Sequence, residues 1–254
     1  MAEGVLPLAI NRATRLVDRL ADSRKSYYAV LKLGETTDTL DAEGAILERR
    51  PVPTVSPERV LELLSRFEGP QLQVPPAYSA IKVGGQRSYD LARQGRAPTL
   101  EARAVTIHRI DLLRRDFDTL ALQVSCSKGT YVRSLARDVG EALGCGAHLA
   151  RLVRTSVGGL TLRTAVSLEE IAQAAGDGAL DELLIAPDEA IGSLPSVVVE
   201  ARHEADMRQG RAWLAGSSDA GLEAWVYNPE GRCLGVASRI DSRTWRSRLA
   251  LEGA

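Results

Sequence analysis

Residues 126–141 read "CSKGTYVRSLARDVGE", and two periodicities meet inside them. Upstream, "TLALQVSCS" (119–127) places Leu120, Leu122, Val124 and Cys126 on one side with period two, which predicts a strand with one buried face. Downstream, Val132, Leu135, Ala136, Val139 and Leu143 recur at helical spacing, and Gly144 closes the run. A strand end is therefore delivered into a helix start through Lys128-Gly129-Thr130-Tyr131. Helix N-termini offer unpaired N–H groups to anions. Thr130 is expected to cap, Lys128 adds charge, Gly129 permits a close backbone approach, and Arg133 projects from the first turn. On these residues alone the corner is either a packed cap or a site for a phosphate or carboxylate, with the flat Tyr131 ring beside it.

Working outward, "YAVLKL" (28–33) reads as a strand and "GETTDTLDAEG" (34–44) as a loop rich in Gly, Thr and Asp. "SPERVLELLSRFEGP" (56–70) is a punctuated helix: Ser56 caps, Pro57 suits the first turn, and Val60, Leu63, Leu64 and Phe67 share a face. A short helix is expected over 87–94, stopped by Gly95, and a strand over "ARAVTIHRIDLL" (102–113). Ser167 and Glu170 form a capping-box pattern that opens a helix expected to reach about Ile185. "APDEAIGSLPS" (186–196) reads as a linker. Beyond Pro195 the pattern turns to short strands, "SVVVE", "LEAWVYN", "RCLGVASRI" and "TWRSRLAL". The expected fold class is α+β, a mixed, mainly antiparallel sheet flanked by helices, with a small β-rich C-terminal domain.

The chain has 254 residues, 44% of them hydrophobic and 26% charged, enough to bury a core. Three cysteines without a CxxC pair indicate neither a disulfide frame nor a zinc site, and fit a reducing cytoplasm. No walker-type or dinucleotide phosphate loop occurs, and the histidines have no metal-like spacing. The apolar opening, Val5 to Ile10, is interrupted by Pro7 and is too short to cross a bilayer. Net charge is −1, yet Lys82, Arg87, Arg93, Arg96, Arg103, Arg109, Arg114 and Arg115 face only Asp90, Glu101 and Asp111 in their stretch. That local excess is either a solvated face or a nucleic-acid contact. In "VPPAYSAIKVGGQRSYDLARQG" (74–95), Tyr78, Lys82 and the Gly84-Gly85 turn suit either an RNA-backbone contact or a surface hairpin.

Five blocks in order, "VLPLAINRATRLVDRL" (5–20), "KSYYAVLKLGETTDTLDAEG" (25–44), "PPAYSAIKVGGQRSYDLARQG" (75–95), "EARAVTIHRIDL" (101–112) and "CSKGTYVRSLARDVGEALGCGAHLARLVRTSVG" (126–158), resemble the bacterial tRNA pseudouridine synthase B (TruB) family. The resemblance implies a catalytic domain over 1–190 and, over 195–254, a small RNA-binding appendage of PUA-like or TruB C-terminal type. It implies a monomer that acts on the T arm of tRNA, with no membrane or metal partner. The T-loop uridine would be flipped into a pocket, detached from its sugar and rejoined through carbon, with no cofactor.

Residue by residue, the resemblance makes Tyr27 the stacking aromatic, and Tyr131 and Leu152 the lining of the base pocket. Tyr131 also faces the proton at the base carbon, and Arg133 is the partner of the nucleophilic Asp. Lys82 and Arg103 are assigned to RNA backbone or local ion pairing. The family's nucleophile lies in a Gly-x-Leu-Asp-Pro pattern whose Asp would stand two residues before Met1. The 254-residue chain by itself is therefore expected to be inactive, and its apolar start is expected to belong to a buried core element. Asp38 and Asp41 are expected to shape their loop rather than replace that Asp. The alternative is a non-catalytic tRNA-binding or RNA-folding protein.

Overall fold

The computed structural model of the chain describes residues 2–96, 98–192, 194–215 and 221–251. Its elements begin with β1 (Ala2–Gly4), a 3₁₀ helix at Asn11–Leu16, α1 (Val17–Asp22), β2 (Lys25–Leu33), β3 (Glu35–Thr37), β4 (Ile46–Arg49), α2 (Pro57–Ser65) and β5 (Gly69–Gln73). There follow β6 (Lys82–Val83), β7 (Gln86–Arg87), α3 (Ser88–Arg93), β8 (Arg103–Arg115), β9 (Thr119–Cys126), α4 (Val132–Ala142) and β10 (Ala147–Val157). The remainder is β11 (Leu160–Thr161), α5 (Leu168–Asp177), α6 (Pro187–Ile191), β12 (Ser196–Val198), α7 (Glu204–Arg208), β13 (Ala212–Leu214), β14 (Glu223–Tyr227), β15 (Cys233–Arg239) and β16 (Thr244–Ala250). Two compact units result: residues up to Leu6 with Arg24–Val157, and Pro7–Ser23 with the chain from Gly158 onward.

In the first unit the strands run in the order β1-β10-β2-β9-β8-β5, antiparallel apart from the parallel β1–β10 pair. One face of this sheet carries the core. Ala29, Leu31 and Leu33 of β2 and Leu120, Leu122, Val124 and Cys126 of β9 alternate onto it, as the period-two pattern requires. Val60, Leu63 and Leu64 of α2 and Val132, Leu135, Ala136 and Val139 of α4 cover it. Ser56 caps α2 by accepting from the Arg59 N–H at 3.3 Å.

The second unit has a five-stranded sheet, β12-β14-β15-β16-β13, around Trp213, Trp245, Met207 and Val226. It confirms the β-rich C-terminal part and the α+β class.

Four expectations need correction. Helix α5 keeps its Ser167/Glu170 capping box but stops at Asp177, because Gly178 turns into the left-handed region at φ 71°. Residues 186–196 are not a plain linker, since Pro187 starts α6 there. Thr130 does not cap α4. Tyr131 holds that position without a side-chain cap, and the Thr130 hydroxyl lies 3.5 Å from that of Ser127. Finally, the apolar start is an edge strand rather than a buried element. Val5 is buried, whereas Leu6, Leu8 and Ile10 are exposed.

Candidate active site

The register of the first sheet decides which side chains share a face. Tyr27 stands opposite Val124 on β9 and Arg154 on β10, and Leu152 stands opposite Ala29. Cross-strand partners point to the same side. Tyr27, Leu152 and Arg154 thus belong to the face that α4 covers, and Tyr27 and Leu152 pack on the edge of its core. The end of β9 at Cys126 leads through residues 127–131 into α4, so Tyr131 and Arg133 start that helix at the end of the sheet where Tyr27 begins β2.

Arg133 is the most constrained of these side chains. Its Nη1 donates to the Thr39 carbonyl at 3.1 Å and to Asp41 Oδ2 at 3.1 Å, and its Nη2 donates to the Tyr78 carbonyl at 2.8 Å. One guanidinium thereby ties helix α4 to two separate loops. Asp41 is placed by its own turn: Oδ1 accepts from the Thr39 hydroxyl at 2.6 Å and from the Glu43 N–H at 3.1 Å. The Thr37 hydroxyl donates to the Asp41 carbonyl at 2.7 Å. The loop also docks on β10, where Asp41 bridges Leu149 and the Ala42 N–H donates to the Leu149 carbonyl at 3.1 Å. Leu40 adopts φ 62°, a costly left-handed conformation for a branched side chain. The surrounding bonds hold that conformation in place.

Tyr131 is fixed through its backbone. Buried Gln73 accepts from the Tyr131 N–H at 2.8 Å and donates to its carbonyl at 3.1 Å. On the sheet, Arg154 donates through Nε to the Val5 carbonyl at 2.7 Å, and Val5 donates its N–H back to the Arg154 carbonyl at 2.8 Å. Burial raises the Tyr27 hydroxyl above the usual phenol pKa, with a further push from Cys126, while the Arg154 guanidinium pulls it back. Burial likewise pushes the Cys126 thiol up to about 11, which keeps it protonated and inert.

Six residues were expected to form the site. Tyr27, Leu152, Tyr131 and Arg133 gather around α4 and its sheet face. Lys82 is exposed on the β6–β7 hairpin and Arg103 is exposed at the start of β8. Neither has an ion-pair partner among the described residues, so the local-pairing assignment finds no support. Asp38 shapes its loop by accepting from the Ala45 N–H at 2.8 Å. Asp41 shapes the loop and also pairs with Arg133. Sequence reasoning missed that pair, the Gln73 clamp and Arg154. For Arg154 a signal existed, because it lies two residues after Leu152 on the same strand face. For Gln73, a polar residue in a short alternating strand, there was none.

Comparisons with known proteins follow this geometry. Residues 1–132 match the model of the TruB family pseudouridylate synthase N-terminal domain. Residues 133–191 match the tRNA pseudouridylate synthase B C-terminal domain. A tRNA pseudouridine synthase B of Pseudomonas putida (strain GB-1) is 48% identical over 78% of this chain and 65% of its own length. That of Ectopseudomonas mendocina is 41% identical over 100% of this chain and 84% of its own. The chain thus spans about two thirds of the length of the Pseudomonas putida relative. Among solved structures, an H/ACA RNP bound to a substrate RNA containing 2'-deoxyuridine superposes with TM-score 0.73 at 19% identity, over 99% of this chain and 73% of that one. A Cbf5-Nop10-Gar1 complex gives 0.70 at 21% identity, over 100% and 72%. At such identities the likeness concerns the fold.

Proposed function

This chain belongs to the TruB family of pseudouridylate synthases, and from that membership we propose that it isomerises a T-loop uridine of tRNA to pseudouridine. The observation that carries the reading is the Arg133 guanidinium, held by three acceptors at the start of α4, above the sheet face that bears Tyr27 and Leu152. A flipped uracil stacks on Tyr27, which returns about 1–3 kcal/mol of the unstacking cost. Leu152 and Tyr131 close the base pocket. Arg133 needs no reorganisation when a carboxylate acts on the nucleoside beside it, because its fork is already aimed.

In this reading the nucleophilic carboxylate comes from residues leading into β1. The parallel register pairs Ala2 with Leu152. Carried about three residues upstream, it comes level with Leu149, on which Asp41 bridges. Lys82 and Arg103 take the RNA backbone, residues 1–190 form the catalytic part, and 195–254 the appendage.

The test is pseudouridine formation in a T-arm hairpin, read by mass spectrometry after derivatisation. A chain extended at its front by the Gly-x-Leu-Asp-Pro pattern is expected to convert the hairpin, and the 254-residue chain is not. In the extended chain Tyr27→Ala should lower the rate by about 100-fold or more, with tRNA affinity changed only a few-fold. Tight tRNA binding with no product from the extended chain would replace this reading with the non-catalytic one.

A further inference from the structure

The second unit contains a cavity of about 440 Å³ whose walls include Arg12, Arg15, Arg208 and Arg248, with Ser247 and Gln209 between them. No carboxylate lines it. Three elements converge there for separable reasons. Residues 11–16 form a 3₁₀ helix, in which positions three apart eclipse, so Arg12 and Arg15 project to one side. Arg248 lies on β16 with its side chain opposite to that of buried Leu249. Arg208 closes the last turn of α7 and is paired with Glu204.

Arg15 and Arg248 are in a different state. Arg15 forms no ion pair among the described residues. Neither does Arg248, whose Nε donates to the Ser238 hydroxyl at 2.8 Å. Guanidinium groups gathered at one concavity without a carboxylate repel one another, and a shared anion removes that repulsion. Hydroxyl and amide donors beside the arginines match phosphate oxygens.

We infer that this cavity is an RNA phosphodiester site of the second unit, engaging backbone phosphates through Arg15 and Arg248. The inference rests on the reading that the chain engages tRNA. It adds a contact remote in sequence from every residue assigned to the base pocket, and it draws on residues 7–23 as well as on the C-terminal strands.

The test is binding of fluorescently labelled tRNA transcript to the full 254-residue chain, by anisotropy, across a series of KCl concentrations. Each phosphate contact contributes about 0.7–0.9 to the slope of log affinity against log salt. The double variant Arg15→Ala/Arg248→Ala should therefore bind about tenfold more weakly near 0.1 M salt and lose about 1.4–1.8 of that slope. Arg15→Lys/Arg248→Lys should keep the slope, and Arg66→Ala, an exposed and ion-paired control, should change neither quantity. Thermal unfolding of the alanine and lysine variants should coincide with that of the parent chain.

An unchanged slope in the alanine variant, with Lys82→Ala still weakening binding, would overturn the inference and leave the tRNA reading intact. If the parent chain bound no tRNA, both would fall. Salt-sensitive capture by phosphatidylserine-containing vesicles, lost in the alanine variant while tRNA binding persisted, would reassign the cavity to a lipid surface.

Discussion

Arginine serves opposite purposes in the two units. Around α4, the charge of Arg133 is answered within the protein by Asp41 and by the Thr39 and Tyr78 carbonyls. In the second unit, Arg15 and Arg248 line a cavity that holds no carboxylate. A guanidinium paired on all sides is a structural part. It fixes loop geometry and presents one edge in one orientation, and losing it should cost stability. A guanidinium left without a counter-charge contributes little to folding and stays available to an anion from outside. The first kind is read by unfolding, the second by the salt dependence of binding.

The largest effect is expected at Arg133. Breaking a fully buried pair costs about 3–5 kcal/mol, and side-chain exposures of 24% and 18% for Arg133 and Asp41 bring the expected loss for Arg133→Ala to about 1–3 kcal/mol. Urea unfolding measures it. The same variant, in a chain carrying the upstream Asp, should lose pseudouridine formation by at least about 100-fold, while the salt slope of tRNA binding stays unchanged. A stable Arg133→Ala protein with a reduced salt slope would erase the distinction between the two regions, because Arg133 would then be one more phosphate contact.

Next in size is the backbone clamp on Tyr131. Gln73→Leu keeps the volume but strips partners from one N–H and one C=O at the start of α4. Unsatisfied buried groups cost about 1–3 kcal/mol, and the partial exposure of Tyr131 places this variant near the lower end. Amide hydrogen exchange at Tyr131 should quicken, whereas exchange in the middle of α4 should not. Equal acceleration along the whole helix would mean that Gln73 supports packing rather than the position of Tyr131.

How much of this was legible beforehand depends on the range of the interaction. Strand β9 and helix α4 could be read from residues 119–143 because their periodicity is local. The same holds for the Ser56 and Ser167 caps, which act over three residues. Helix α5 was overextended because apolar residues continue past Gly178, and the left-handed turn there outweighs them. The Arg133–Asp41 pair spans 92 positions and the Gln73–Tyr131 clamp 58, so no window of sequence contains either. Asp41 was correctly read as a shaper of its loop, since its bonds to Thr39 and Glu43 are local. Its second role depends on the loop being laid against β10. The cavity of the second unit was invisible for the same reason: Arg15 and Arg248 meet only through the fold.

A third arginine sharpens the comparison within a single segment. Arg19 lies one helical turn beyond Arg15, yet it makes a two-pronged pair with Glu223 of β14, with Nη2 to Oε1 at 2.8 Å. That pair binds residues 17–22 to the second sheet. The hydrogen bond from Arg19 holds Glu223 below the usual carboxylate pKa. A carboxylate with a lowered folded pKa stabilises the protein above its unfolded value, near 4.3, and the contribution fades as pH falls through the folded value. Both side chains are about one-third exposed, so the contribution is small, below about 1 kcal/mol. Glu223→Gln should therefore lower the melting temperature slightly at pH 7, and the gap from the parent chain should close below about pH 4. Arg15→Ala should leave the melting temperature unchanged at either pH. A pH-dependent loss for Arg15→Ala of the same size as for Glu223→Gln would show that Arg15, too, is answered from within, and the cavity would then hold no spare charge for an RNA phosphate.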